Sequence, residues 1–168
     1  MLTEIDFNSG QIFDALKEAG VDDRTLIVWC SDNGPETLQG PNIMYGAQGD
    51  SGPFRSEFPS GWEGAIRTAA LMRWPGRIQA GRSSNEIFSI LDFYRTFAHI
   101  VGAADRVPTD RPIDSIDQAD FILGNQQKSN RESVMYFHSG ELLAIKWRNF
   151  KAHLKVRVTA DGAVRQAG

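Results

Sequence analysis

The sequence contains a single cysteine, Cys30. One thiol excludes an internal disulfide framework and any zinc site built on several thiolates. No apolar run approaches the roughly 18 residues of a membrane-spanning helix. Residues 1–20 carry Glu4, Asp6 and Asp14 and lack an apolar stretch, so no signal peptide is expected there. An excess of positive charge is absent too: 18 Lys and Arg stand against 21 Asp and Glu, a formal net charge of −3. Binding of nucleic acid through a basic surface is therefore not expected. The sequence shows no internal repeat and no low-complexity segment. What the chain has is apolar mass. Hydrophobic residues make up 41% of its 168, with ten Phe and four Trp, enough for a core and too much for global disorder. At roughly 150 residues per domain, the length predicts one domain, or one with a small appendage.

Residues 3–19 predict a helix. Thr3 is the expected N-cap, Ile5, Ile12, Leu16 and Ala19 share one face with Phe13 beside it, and Gly20 sits where a helix stop belongs. Residues 26–30, Leu-Ile-Val-Trp-Cys, are apolar without alternation. That pattern predicts an inner strand of a helix-covered parallel sheet, with Cys30 as a small buried hydrophobe. The strand ends at Ser31-Asp32-Asn33-Gly34-Pro35. Residues 34–64 hold no period and are rich in Gly and Pro, a loop long enough to suggest function. Tyr45, Phe54, Phe58 and Trp62 predict that it is ordered and packed on something. A second strand is expected over 69–74, ended by Pro75-Gly76, and a second helix over 84–101, stopped by Gly102. Residues 103–131 read as a linker. Residues 133–138, 142–147 and 150–158 read as an antiparallel meander. The expected fold class is α/β: a partial parallel or mixed sheet with flanking helices, plus a small antiparallel C-terminal sheet. Such a truncated sheet would expose a strand edge and apolar surface, which favours self-association.

Asp32 and Asn33 stand directly after the first strand, where ligands gather in open α/β sheets. A carboxylate and an amide oxygen side by side suit Ca²⁺ or Mg²⁺. Asp-Asn-Gly-Pro is also strong turn chemistry, and on spacing alone the turn is the favoured reading. His99 reads as a surface or helix-end residue. His138 and His153 lie in the C-terminal strands, and His138, at a strand end beside Gly140, is the better placed to face a cleft. Trp29, Trp62, Trp74 and Trp147 read as core or loop anchors.

Several motifs in order resemble the sulfatase family. Residues 25–35, Thr-Leu-Ile-Val-Trp-Cys-Ser-Asp-Asn-Gly-Pro, resemble its Thr-hydrophobic-Ser-Asp-Asn-Gly segment. Trp62-Glu63-Gly64-Ala65-Ile66-Arg67 and then Arg73-Trp74-Pro75-Gly76 resemble its second signature. The helix 84–102, Ile113-Asp114-Ser115-Ile116-Asp117 with Gly124, and the tail with Gly140, Leu143, Ala144, Lys146 and Phe150-Lys151 resemble the C-terminal segments of arylsulfatases. The resemblance runs from residue 3 to about 155. It implies that 1–104 is the C-terminal part of a sulfatase α/β core, 105–131 a connector and 132–168 a small antiparallel subdomain. It implies that Asp32 and Asn33 help bind one divalent cation, commonly Ca²⁺, which would act as Lewis acid and template. The parent activity it implies is hydrolysis of a sulfate ester, by attack of a hydrated formylglycine on sulfur.

No Cys/Ser-x-Pro-x-Arg motif stands N-terminal to the 25–35 segment, where the resemblance places the nucleophile. The bare pattern occurs only at Ser51-Gly52-Pro53-Phe54-Arg55, after that segment, and the family's early aspartate pair is not in this chain. The chain therefore resembles the C-terminal portion of a sulfatase, and alone it is expected to be inactive and to bind cation weakly. Phe58 stands where many sulfatases place a sulfate-contacting Lys, and Arg55 could supply a guanidinium instead. His138 is the other candidate substrate contact. Glu63 and Arg67 either pair to hold the loop or touch substrate, and the resemblance favours holding the loop. The rival readings are a phosphoester hydrolase of the alkaline-phosphatase-like superfamily and a non-catalytic module that binds a metal or a partner chain. The sequence does not fix localisation.

Overall fold

In a computed structural model of the chain, residues 2–35, 49–157 and 164–166 are described. The first helix, α1, spans Leu2–Glu18 and places Thr3 inside the helix rather than at its cap. Gly20 ends it at φ 65, and the N–H groups of Gly20 and Val21 donate to the carbonyls of Lys17 and Leu16, both at 3.0 Å. This closes the helix as its glycine predicts. No residue of α1 is buried among the described residues, and Ile12, on its apolar face, is 59% exposed. The helix leans on the 3₁₀ turn Asp22–Arg24 and presents Phe13 to the Arg73 guanidinium, 5.3 Å above the ring. Those contacts cover too little of the helix to bury a face.

Strand β1, Ile27–Cys30, pairs antiparallel with β2, Ala70–Arg73, Ile27 lying opposite Arg73 and Cys30 opposite Ala70. The arrangement is mixed α/β, but the parallel neighbour expected for β1 is not this strand. A parallel return needs a crossover, usually a helix of a dozen or more residues in all. Among its described residues the connection here holds one helical turn, α2, Glu63–Ile66, and the two strands pair as a wide hairpin. Nor is β1 sealed on both faces, since Cys30 is only partly buried and Trp29 is 42% exposed. The β2 end is fixed by Arg73, which reaches Asp22 through two hydrogen bonds of 2.6 and 2.9 Å.

The second long helix begins later than its apolar pattern suggests. A 3₁₀ turn, Ile90–Asp92, leads into α3, Phe93–Ile100, and residues 84–88 stay outside the helix. The start is a capping box: the Ser89 hydroxyl accepts from the Leu91 N–H at 3.3 Å and the Asp92 carboxylate from the Ser89 N–H at 3.0 Å. Gly102, at φ 72, stops the helix as expected.

Residues 103–131 are not a loose linker. They hold a 3₁₀ turn, Ala104–Arg106, and a further helix, α4, Ala119–Leu123, whose first turn is capped by Asp117 Oδ1 on the Ala119 N–H at 2.9 Å. Ala119, Phe121 and Ile122 are core residues. The segment is tied in by Asp92, fully buried, whose carboxylate accepts four hydrogen bonds. Arg131 gives two of them, at 2.6 and 2.8 Å, and the N–H groups of Ser89 and Ile116 give the others. Gln118, also fully buried, is satisfied by Thr96, Ser129 and Asn130.

The C-terminal sheet follows the expected meander, with β3 (Ser133–His138), β4 (Glu141–Trp147) and β5 (Phe150–His153) antiparallel in that order. The third run is shorter than expected. After Leu154, whose N–H donates to the Leu143 carbonyl at 2.8 Å, β6 (Lys155–Arg157) turns away to pair with β7 (Val164–Gln166). The register of β3 on β4 shifts between Tyr136, opposite Ala144, and Phe137, opposite Leu142. Leu143 is the extra residue of this bulge, 1% exposed and packed under Gly61.

Replacing Asp92 by Ala leaves the Arg131 guanidinium, whose side chain is 10% exposed, without its carboxylate. The expected loss is about 3–5 kcal/mol of unfolding free energy in a urea titration. A loss under about 1 kcal/mol would show that the connector does not depend on this pair.

Candidate functional site

The site is built at the carboxyl end of β1. There the backbone of 31–35 is laced to the loop 54–68. The Gly34 N–H donates to the Ala65 carbonyl at 2.8 Å, the Phe58 N–H to the Pro35 carbonyl at 2.9 Å, and the Gly64 N–H to the Arg55 carbonyl at 2.9 Å. The Thr68 hydroxyl donates to the Ser31 carbonyl at 3.1 Å. Two glycines permit this approach. A Cβ on Gly34 would collide with the Gly64 carbonyl, and one on Gly64 with the Ser56 carbonyl. At Asp32-Asn33 the backbone makes the turn that these residue types favour. Asp32 Oδ1 accepts from the Asn33 N–H at 2.9 Å, and Asn33 Nδ2 donates to the Gly34 carbonyl at 2.8 Å. Among the described residues, Asp32 Oδ2 and Asn33 Oδ1 take no part in these bonds.

Asp32 and Asn33 open into a cleft of about 230 Å³ that His138 also lines. Ser60 adds a hydroxyl, while Phe58, Ile66 and Phe137 supply apolar wall. A larger cavity, about 1030 Å³, runs between β2, the strap 78–90 and α4. It borders Asp32, Glu63, Arg67 and Lys146 but neither Asn33 nor His138, so the smaller cleft is the one that brings Asp32, Asn33 and His138 together.

Glu63 holds this corner to the C-terminal sheet. Its two carboxylate oxygens accept from Lys146 Nζ at 2.7 Å and Lys151 Nζ at 2.8 Å. Burial would raise the Glu63 carboxyl, but the bonds from Lys146 and Lys151 outweigh it and hold it below the usual range. Lys151 also sits 3.9 Å above the Tyr136 ring, and burial pulls its ammonium below its ordinary value. Burial, with the Glu63 charge, pushes the Tyr136 phenol up. Arg67 is not the partner of Glu63. The backbone turns extended at Arg67, so its guanidinium reaches Asn85 at 2.7 Å and lies 4.5 Å over the Phe54 ring.

Arg55 is not among the residues lining the cleft. Its guanidinium stacks 3.9 Å over Trp62, whose other contact is His153, stacked at 3.8 Å and 30°. Trp62 is thus a loop anchor, as its place in the sequence predicts. His153 Nδ1 is buried without a hydrogen-bond partner among the described residues. Burial first, and then the charges of Lys151 and Arg55, lower the pKa of this imidazole. His99 is exposed at the end of α3 and meets Asp117 Oδ2 at 2.5 Å. Tyr45 lies outside the described residues.

As a metal corner, Asp32 and Asn33 have the right chemistry, hard oxygens for Ca²⁺ or Mg²⁺, but are a partial set against the usual six to eight ligands. Among the described residues no group of three His, Cys, Asp or Glu gathers to complete it.

The sulfatase family model matches residues 1–103. The chain belongs to the sulfatase family. It is 34% identical over 150 residues to the N-acetylgalactosamine-6-sulfatase of Canis lupus familiaris, covering 89% of this chain and 27% of that protein. It is 36% identical over 147 residues to the steryl-sulfatase of Rattus norvegicus, covering 86% of this chain and 25% of that one. The chain thus spans about a quarter of the curated relatives it matches. Among solved structures, the PsFucS1 sulfatase from Pseudoalteromonas sp. superposes with a TM-score of 0.84 at 31% identity, over 98% of this chain and 33% of that one. Ps i-CgsB superposes with a TM-score of 0.74 at 26% identity, over 95% of this chain and 33% of that one. The family model ends after α3, whereas the fold shared with PsFucS1 continues through the C-terminal sheet that carries His138, Lys146 and Lys151.

For this sulfatase chain the Glu63 clamp predicts an acid sensitivity. The folded carboxyl titrates below the ordinary value of 4.5, so its contribution is complete above that pH and is lost as the pH falls beneath it. Glu63→Gln should cost about 1–3 kcal/mol at neutral pH. It should also flatten the fall in urea stability below the ordinary glutamate value. An unchanged acid limb would contradict the clamp.

Proposed function

We propose that this chain provides the cation corner and C-terminal sheet of a sulfuric ester hydrolase. The observation that carries the reading is the meeting of Asp32, Asn33 and His138 in one cleft of a sulfatase-family chain. In this reading Asp32 Oδ2 and Asn33 Oδ1 hold Ca²⁺ or Mg²⁺. A cation there supplies positive charge to a sulfate oxygen and fixes its orientation. His138, which lines the same cleft, donates a hydrogen bond to an ester or sulfate oxygen. Arg55 reaches a sulfate only by leaving the Trp62 face, so the sulfate contact is assigned to His138. Glu63, Gly34 and Gly64 are positioning residues that hold the corner against the sheet.

The one Ser-x-Pro-x-Arg match, Ser51 to Arg55, follows the Asp32-Asn33 turn rather than preceding it, and neither Ser51 nor Arg55 lines the cleft. The 168-residue chain is therefore expected to show no turnover of 4-nitrophenyl sulfate with or without calcium, and measurable release of 4-nitrophenol would sink that expectation. Cation binding is separately testable. Millimolar calcium chloride should raise the thermal midpoint of the chain, because a ligand bound to the folded state alone stabilises it. Asp32→Ala should remove the rise. An identical midpoint with and without calcium, or a rise that survives the substitution, would overturn the assignment.

A further inference from the structure

The cleft beside Asp32 has two unlike faces. Asp32, Asn33, Ser60 and His138 give it polar atoms, while Phe58 and Phe137 stand in its wall with 37% and 60% of their surface exposed. Neither ring is placed by chance collapse. The Phe58 backbone is pinned to the Pro35 carbonyl at 2.9 Å, immediately after the Asp32-Asn33 turn. Phe137 follows the register shift that inserts Leu143. Neighbouring residues on a flat strand point to opposite faces, and a bulge adds twist that re-aims them. Here Phe137 and His138, adjacent in sequence, both line the one cleft. At about 230 Å³ the space is below the ~300–1,000 Å³ of a drug-sized site, which suits one ring rather than several.

We propose that Phe58 and Phe137 are specificity-determining residues that receive the carbon skeleton of a sulfate ester, selecting esters carried on a flat ring over small alkyl sulfates. The proposal rests on the reading of the cleft as a sulfate-ester site. The shared chemistry is a flat apolar face next to the anion, which either an aromatic ring or the C–H face of a pyranose offers. Stacking on aromatic rings adds roughly three- to tenfold in affinity beyond area burial.

The test is saturation-transfer NMR on the full 168-residue chain in calcium chloride, titrating 4-nitrophenyl sulfate, glucose 6-sulfate and methyl sulfate. At least one ring-borne ester should bind about threefold or more tightly than methyl sulfate. Phe137→Ala, at an exposed position, should abolish that preference while leaving methyl sulfate unchanged. A preference for the nitrophenyl ester alone assigns an aryl ring, and one for the glucose ester alone assigns a pyranose. Equal binding of all three esters overturns the role of the two phenylalanines and leaves the sulfate site standing. Binding of none of them overturns the sulfate site, and the specificity proposal with it.

Discussion

The carboxylate of Glu63, shared between Lys146 and Lys151, is the contact on which the site depends. Its helix, α2, touches both halves of the chain. Through Ala65 and Gly64 it holds the backbone that follows β1, and through the carboxylate it grips β4 and β5. A lone acid so placed would be strongly disfavoured by desolvation, and two lysines reverse the balance, as the lowered Glu63 titration reflects. Asp32 and His138 reach one cleft because their supports, β1 and β3, are fixed relative to each other by this contact and by Gly61 lying on Leu143.

The same logic recurs at Asp92. There a buried carboxylate gathers the start of α3, the backbone of Ile116 and the side chain of Arg131 just before β3. A carboxylate drawn out of water is stable only when it is paired, and both the buried Asp92 and the half-buried Glu63 are. By contrast α1 and the outer side of β1 keep large apolar side chains in the open, with Phe7 at 64% exposure and Trp29 at 42%.

Local chemistry makes part of this legible in the sequence. Gly20 and Gly102 end their helices as their residue type requires, and the meander of 133–153 follows its turns. The strand ending in Ser31-Asp32-Asn33 can be read because an apolar run closed by turn residues is a short-range signal. The start of α3 departs from the sequence expectation because the capping box closes at Ser89 and Asp92, while the acid three residues after Ser83, Glu86, accepts from the Ser129 N–H instead. The five-residue helix α4 is too short for its period to show, although Asp117 and Gly124 frame it. The Glu63 clamp is not legible, since its lysines lie 83 and 88 residues away. The i,i+4 partner that spacing favours, Arg67, falls where the helix has already ended. Nor does any local pattern announce the bulge at Leu143 that brings Phe137 into the cleft.

The most direct test of the cation corner is a calcium titration of the ¹⁵N-labelled chain followed amide by amide. Saturable shifts are expected at Asp32, Asn33 and Gly34, with smaller ones at Phe137 and His138, which line the same cleft. Shifts confined to exposed acids elsewhere, such as Asp105 and Asp110, or none at all, would contradict the cation corner.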